Sequence, residues 1–175
     1  VNTSNSNIPD SEMYGAEVEL VALITDNFRV DSALGLLHTE VGDGLVDNAA
    51  IFGATPTDVS GNELRKAPPV SFNTGLQYTF ELPSLSGSLV SRLDFYYEDA
   101  QYHDVLNRPQ DKEGSYTKTD ISATFRPNDG KYFVQLYVRN LEDNDVRTTI
   151  YQSPIGALSA YAPPRTYGVR VGVNF

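Results

Sequence analysis

The feature that most constrains this chain is a two-residue alternation of apolar and polar side chains, the mark of an extended strand with unlike faces. At the C-terminal end Tyr167, Val169, Val171, Val173 and Phe175 share one face, while Thr166, Gly168, Arg170, Gly172 and Asn174 share the other. Near the start Tyr14, Ala16, Val18, Leu20, Ala22 and Ile24 oppose Gly15, Glu17, Glu19, Val21, Leu23 and Thr25. In the middle Val70, Phe72, Thr74, Leu76, Tyr78, Phe80 and Leu82 oppose Ser71, Asn73, Gly75, Gln77, Thr79 and Glu81. Four further segments alternate less cleanly: Phe28 to Thr39, Leu89 to Glu98, Thr117 to Phe125, and Tyr132 to Arg139, where Phe133 and Tyr137 blur the pattern. The pattern predicts seven strands and no helix.

The connections alternate in length. Asp26-Asn27, Pro83 to Gly87 and Pro127 to Gly130 are tight turns whose Asn, Asp, Gly and Pro suit the required backbone angles. Between them lie long segments of about 42–69, 103–114 and 153–163. Short turns thus gather at one end of an up-and-down meander and long loops at the other, the asymmetry of an outer-membrane barrel.

A soluble β-sandwich also alternates, but three features favour a barrel in lipid. The strands are about twice the ~5–6 residues of a globular strand and match the about 9–11 that a tilted membrane strand needs. There are 11 Tyr and 8 Phe, with Tyr14, Phe28, Phe80, Tyr97, Phe125, Tyr132, Tyr167 and Phe175 set towards strand ends on the apolar face, where interfacial girdles belong. The opposite face mixes charge with Gly, Ser and Thr, as a crowded polar lumen does. No apolar run approaches the ~20 residues of a membrane helix. The net charge of −10 argues against a nucleic-acid partner, and the absence of Cys removes disulfides and thiolate chemistry together.

Seven strands cannot close. In lipid an open edge leaves N–H and C=O groups unsatisfied at several kcal/mol each, and bacterial single-chain barrels have even strand numbers. Residues 1–12 open on a polar stretch that looks like the middle of a loop, so the chain is expected to be a transmembrane β-barrel fragment lacking its upstream strands.

Specific motifs then carry a resemblance. Pro163-Pro164-Arg165-Thr166-Tyr167-Gly168, running into the alternating strand that ends at Phe175, resembles the last strand of TonB-dependent outer-membrane receptors. Val138-Arg139-Asn140-Leu141-Glu142-Asp143 resembles that family's "V-x-N-L-x-D" segment on the penultimate strand, and Gly15 to Leu20 its "G-x-E-x-E" strand. Asn62 to Pro69, followed by Val70-Ser71-Phe72-Asn73, resembles its "L-P-x-A-P" strand entry, with Arg65-Lys66 where Pro is more usual. The resemblance covers residues 13–175 and implies the last seven strands of a barrel of about 22, with a plug in its lumen. It further implies an outer-membrane location, contact with lipid and lipopolysaccharide, an N-terminal plug absent from this sequence, and energising through TonB. Active uptake of a scarce nutrient, foremost a ferric siderophore, follows, with no enzymatic activity and no cofactor. A passive porin or a structural or adhesive barrel is the competing reading; it shares the terminal Phe175 but does not predict Asn140-Leu141 and Pro163-Pro164-Arg165 together.

Among candidate sites, Tyr167, Val169, Val171, Val173 and Phe175 resemble the signal read by the outer-membrane barrel assembly machinery, through capture of a free strand edge. Phe52, Tyr102, His103, Tyr151 and Tyr161 are candidate outer-loop ligand contacts, set among acidic residues that could equally bridge divalent cations in the lipopolysaccharide layer. Glu17, Glu19, Arg29, Asp31, Arg92, Asp94, Glu98, Lys118, Asp120, Arg139 and Arg170 fall on the polar face, where the resemblance implies pairing with the plug or with one another. Glu17 and Glu19 have no accompanying nucleophile for acid–base catalysis. His38 and His103 lack a second His nearby, so no metal site is expected.

Overall fold

The computed structural model describes residues 8, 10–46, 56–153 and 156–174, and only the backbone at Gln152 and Ser153. Phe52 and Phe175 therefore lie outside the described residues. The strands are β1 (Ser11–Thr25), β2 (Phe28–Val41), β3 (Leu45–Val46), β4 (Thr57–Asp58), β5 (Val70–Leu82), β6 (Gly87–Glu98) and β7 (Gln101–Tyr102). They continue with β8 (Lys112–Glu113), β9 (Tyr116–Pro127), β10 (Tyr132–Arg139), β11 (Arg147–Ser153), β12 (Gly156–Tyr161) and β13 (Thr166–Val173). Seven of them form one sheet in the order β1-β2-β5-β6-β9-β10-β13, antiparallel throughout, which is the predicted meander.

The register puts the two kinds of face where the alternation predicts. Leu34 pairs with Phe72 and Phe72 with Tyr97; Leu136 pairs with Ala123 and with Val169. Asp31 pairs with Gly75, Gly75 with Asp94, and Asp94 with Asp120 on the opposite face. The apolar face is open: Val169 is 64% exposed, Leu136 57% and Val18 62%. No second sheet seals it among the described residues, so these side chains are not the core of a sandwich.

Two aromatic rings explain why β10 reads ambiguously. Phe133 and Tyr137 lie on the polar face, and each covers a glycine of β13. A Cβ on Gly168 would meet Tyr137 Oη at 2.7 Å, and one on Gly172 would meet Phe133 Cζ at 2.7 Å. Rings laid across glycines pin the register of this last pair.

The turns close as expected at one end. Thr25 Oγ1 accepts from the Phe28 amide at 3.1 Å, and Gly130 takes φ +66° after Pro127. At Pro83–Leu85 a single 3-10 turn is followed by Ser86 at φ +46°, so Ser rather than Gly87 carries the left-handed angle there. The long connections were expected to be loops but carry small hairpins: β3–β4, β7–β8 and β11–β12.

The polar face has one dominant cluster. Arg92 reaches from β6 across β5 to β2: its Nη2 donates to Asp31 Oδ2 at 2.9 Å and its Nη1 to Asp31 Oδ1 at 3.1 Å, while Nε donates to Asp94 Oδ1 at 2.9 Å. It can do so only because Gly75 lies beneath; a Cβ there would meet Asp31 Oδ2 at 2.5 Å and Arg92 Cζ at 2.9 Å. Hydrogen bonds to charged groups contribute about 1.5–3 kcal/mol. Arg92→Met should therefore lower the unfolding free energy of the detergent-solubilised protein by about 1–3 kcal/mol. Gly75→Leu should cost a similar amount, and the double variant little more than either, as read by denaturant titration. Additive losses would show that glycine and arginine act independently.

Candidate functional site: the interlocked loop cap

At the long-loop end the chain folds back on itself, and most of its buried side chains are here. Val41 and Val59 are fully buried, with Ala67, Val146 and Ile150 close to it. Backbone bonds seat the first loop on β2: Val41 N donates to Asn62 O at 2.8 Å, Gly61 N to Val41 O at 2.8 Å, and Leu37 N to Pro69 O at 2.9 Å. Leu64 N also donates to Thr39 Oγ1 at 3.1 Å.

The second loop clasps the first through asparagines. Asn107, held at φ +47°, accepts from Glu63 N at Oδ1 (2.7 Å) and returns Nδ2 to Glu63 O (2.9 Å), so that its amide imitates a strand partner. Asn62 Nδ2 donates to Val105 O at 2.8 Å, and Lys66 N to Tyr102 O at 2.7 Å. The loop is braced internally by Arg108 against the buried Asp111 (2.5 Å) and by His103 N donating to Asp111 O (2.8 Å). Arg147 of β11 then ties the third loop to the second. Its Nε donates to Glu113 Oε2 at 2.7 Å and its Nη2 to Lys112 O at 2.6 Å.

The motif segments form a separate clasp beside the cap. Asn140-Leu141-Glu142-Asp143 is not on the penultimate strand, as the sequence pattern suggested, but is the turn that ends it, with Asn140 at φ +52° and Asp143 at φ +62°. Buried Asn140 donates to Asn144 O and Pro163 O, and Arg165 reaches Leu141 O at 3.2 Å and Asp143 Oδ2 at 3.2 Å. The Thr119 amide donates to Glu142 at 2.8 Å and the Thr119 hydroxyl donates to its other oxygen; burial is the largest influence on the Glu142 pKa and raises it, but the hydroxyl bond first and the backbone bonds after it bring the net value below the ordinary one. The two motifs are thus one structural fastening that returns the chain to β13.

Of the candidate ligand contacts, Tyr102 and His103 fall together on the β7–β8 loop, with Lys112 Nζ 5.4 Å from the Tyr102 ring centre. Tyr151 and Tyr161 lie on the exposed β11–β12 hairpin; Tyr161 borders a cleft of about 530 Å³ with Glu113, Asp145 and Arg147. His103 is 9% exposed and its pKa is lowered, by burial first and by the Lys66 charge second. Neutral His103 thus favours the docked cap above the ordinary histidine pKa of ~6.5. That contribution is lost as pH falls through this value towards the lowered one. Tyr167, Val169, Val171 and Val173 lie along the outermost strand of the sheet and are exposed. No group of three metal-ligating side chains exists among the described residues.

Sequence reasoning placed Asn62 and Lys66 in a strand-entry motif and Glu113 among acidic loop residues but gave none of them a fastening role, and it did not single out Asn107 or Arg147. Asparagine before Arg-Pro was the one available signal for a left-handed loop position. Asn107→Ala removes both reciprocal bonds and should loosen the cap by about 1–3 kcal/mol. Amides of residues 62–66 and 101–111 should then exchange hydrogen faster while those of β5 and β6 do not, a contrast read by mass spectrometry; uniform acceleration would rule out a separable cap.

The sequence model of the family described as TonB dependent receptor-like, beta-barrel matches residues 1–141. Among solved structures, the ferric yersiniabactin uptake receptor FyuA from Yersinia pestis is 20% identical with a TM-score of 0.80; the match covers 97% of this chain and 24% of that one. The siderophore receptor PiuA from Acinetobacter baumannii is 25% identical with a TM-score of 0.74 over 92% of this chain and 21% of its own. BauA, the ferric preacinetobactin receptor from Acinetobacter baumannii, is 16% identical with a TM-score of 0.67 over 92% of this chain and 22% of its own. The chain spans under a quarter of the length of each of these receptors.

Proposed function

The chain belongs to the TonB-dependent receptor-like β-barrel family, and from that premise we propose that it supplies wall and outer loops to a receptor for active nutrient uptake across the outer membrane of a Gram-negative cell. The nutrient is a ferric siderophore, the cargo class named for the receptors it resembles. The observation that carries the reading is the interlocked cap: three loops from one end of the sheet are tied together by Asn107, Asn62 and Arg147. Ordered loops lose less conformational entropy on binding than free ones, which is what capture of a dilute ligand requires.

In this reading Tyr102, His103, Tyr151, Tyr161 and Phe52 are the loop contacts. The apolar face meets lipid and the loops meet lipopolysaccharide. The Arg92 cluster faces a plug supplied by another part of the receptor, and TonB provides the work, since binding alone cannot move a solute uphill. Tyr167, Val169, Val171, Val173 and Phe175 are the strand that the barrel assembly machinery captures by edge pairing.

Replacing residues 99–114 of the full-length receptor with a short Gly-Ser linker should abolish uptake of radio-iron siderophore while leaving the folded barrel in the outer membrane. Retained uptake would sink the receptor reading for these loops, and concentration-proportional leakage without TonB dependence would point to a passive porin. Deleting Phe175 should cut the amount of inserted receptor several-fold, measured in outer-membrane fractions; normal insertion would refute the assembly signal.

A further inference from the structure

Charge is divided unevenly along the wall. Strands β1, β2, β5 and β6 carry two Arg against eight Asp and Glu, whereas β9, β10 and β13 carry four cations against one carboxylate. The whole chain has a net charge of −10, so this basic strip runs against its composition. All four cations fall on the wet face: Lys118 opposite Tyr96, Arg126 opposite Ser88, Arg170 opposite Gln135 and Arg139 opposite Thr166. They form a staircase from Lys118 at the loop end to Arg126 at the short-turn end. Partnering is just as uneven. Arg92 spends its donors on Asp31 and Asp94 within the wall. Asp120, the carboxylate of the strip, accepts from the Asn140 amide at 2.9 Å and lies 4.0 Å from Arg139. Lys118, Arg126 and Arg170 have no carboxylate partner among the described residues.

Three of the four are instead laid on aromatic rings. Arg126 stands 5.2 Å from the centre of Phe133, Arg139 5.5 Å from Tyr137 and Lys118 5.6 Å from Tyr116. A cation within about 6 Å of a ring is held there by the ring's quadrupole. A stacked guanidinium still keeps its N–H edge for a carboxylate. Phe133 and Tyr137 themselves rest across Gly172 and Gly168, which fills the space beneath the rings and makes the strip level. Two features tell against open water over it. Phe133 sets a phenyl ring on the wet face, where water is a poor neighbour. Like-signed groups gathered inside a wall that must close in lipid also repel one another unless a counter-charge is supplied. A small anion on a level strip would leave the rings bare, whereas a protein surface covers rings and cations together. Arg, Tyr and Phe are the side chains enriched at such interfaces.

We propose that an acidic segment of the receptor's own chain, outside residues 1–175, packs on the wet face of β9, β10 and β13 with its carboxylates on Lys118, Arg126 and Arg170. The proposal rests on the uptake reading and deepens it, by naming where on the wall a plug is held and what charge its contact face bears. A closed wall admits no separate protein to its inner face. The occupant is therefore enclosed as the barrel forms, and the receptor's own chain is the partner always at hand. Cations already held on rings lose less side-chain freedom on contact than free ones do. The Arg92 cluster, by contrast, is satisfied within the wall and needs no charge from outside.

The test uses the full-length receptor in outer-membrane fractions and a water-soluble carbodiimide, which joins an amine to a carboxylate in direct contact. Lys118 supplies one amine; Arg126→Lys and Arg170→Lys supply two more while keeping the charge. Mass spectrometry should find all three amines joined to Asp or Glu of one contiguous segment outside residues 1–175. With no siderophore present, phenylglyoxal should modify Arg126 and Arg170 at least about tenfold more slowly in the folded receptor than after denaturation. Arg126→Glu with Arg170→Glu should release the segment, so that added protease cleaves it about tenfold faster or more. The double Lys variant should behave as the parent. Should the Glu variant fail to give the heat-modifiable band of a folded barrel, the crosslinks from the charge-preserving variants decide. Amines joined only to Asp120 or to a neighbouring wall strand, or arginines modified at the denatured rate, overturn the proposal and leave the strip facing water. Protection that appears only when ferric siderophore is added overturns it too, and makes the strip a path for the ligand. Neither readout involves transport, so a receptor that gives the crosslinks yet imports no siderophore refutes the uptake reading alone.

Discussion

In a hydrocarbon slab the backbone has no water to fall back on, and every strand must find partners for its N–H and C=O groups on both sides. The rest of this structure follows from that requirement. Seven strands in an unbroken antiparallel series satisfy one another along six shared ladders. Side chains are then free to take whatever polarity their face meets. Alternation is the only pattern compatible with lipid on one side and a wet interior on the other, which is why Val, Leu and aromatic residues can stand open on one face. Exposure that would mark a failed core in a soluble protein marks the correct solvent here.

The inversion moves the core elsewhere. The wall contributes surface, and the close-packed apolar contacts sit under the loops at Val41, Val59, Val146 and Ile150. This small cluster could not order three loops alone. Polar fastening supplies the difference: amide side chains at Asn62, Asn107 and Asn140 act as strand substitutes where the chain has left the sheet. Each replaces a backbone bond lost on leaving the ladder, so the cap inherits the satisfied backbone of the wall without being part of it. The clasp between Arg165 and Asp143 serves the same end at the return to β13.

Much of the wall was legible in the sequence because period-two patterning reports which solvent each residue meets, and the solvent decides the fold. Even the ambiguous segment had a readable cause: Phe133 and Tyr137 break the pattern because Gly172 and Gly168 leave room for rings on the polar face. The cap was not legible. Its hairpins carry no apolar stripe: on β11–β12 Ile150 is the one buried side chain among those described. Its key residues are polar ones that pair with a backbone more than forty positions away, as Asn107 does with Glu63. Nothing in local spacing encodes such a bond. The motif at Asn140 was recognisable as a pattern, but its work as a turn and its link to Arg165 depend on where β9 and β13 end.

The division between wall and cap also sets what each can do. Strand ladders are cooperative, so a change at one position of the wall is resisted by neighbours on both sides. The cap is joined by single side chains at identifiable points, and joints of one or two hydrogen bonds contribute only about 1–3 kcal/mol each. That is within reach of what binding one anion or one proton can shift. The joints at Arg147 and Asn107 are therefore where the cap can loosen at least cost. A barrel that must stay closed against lipid while its mouth responds to a passing solute needs this separation. Buried His103 lies where the joints meet, in a pocket lined also by Lys66 and Arg147.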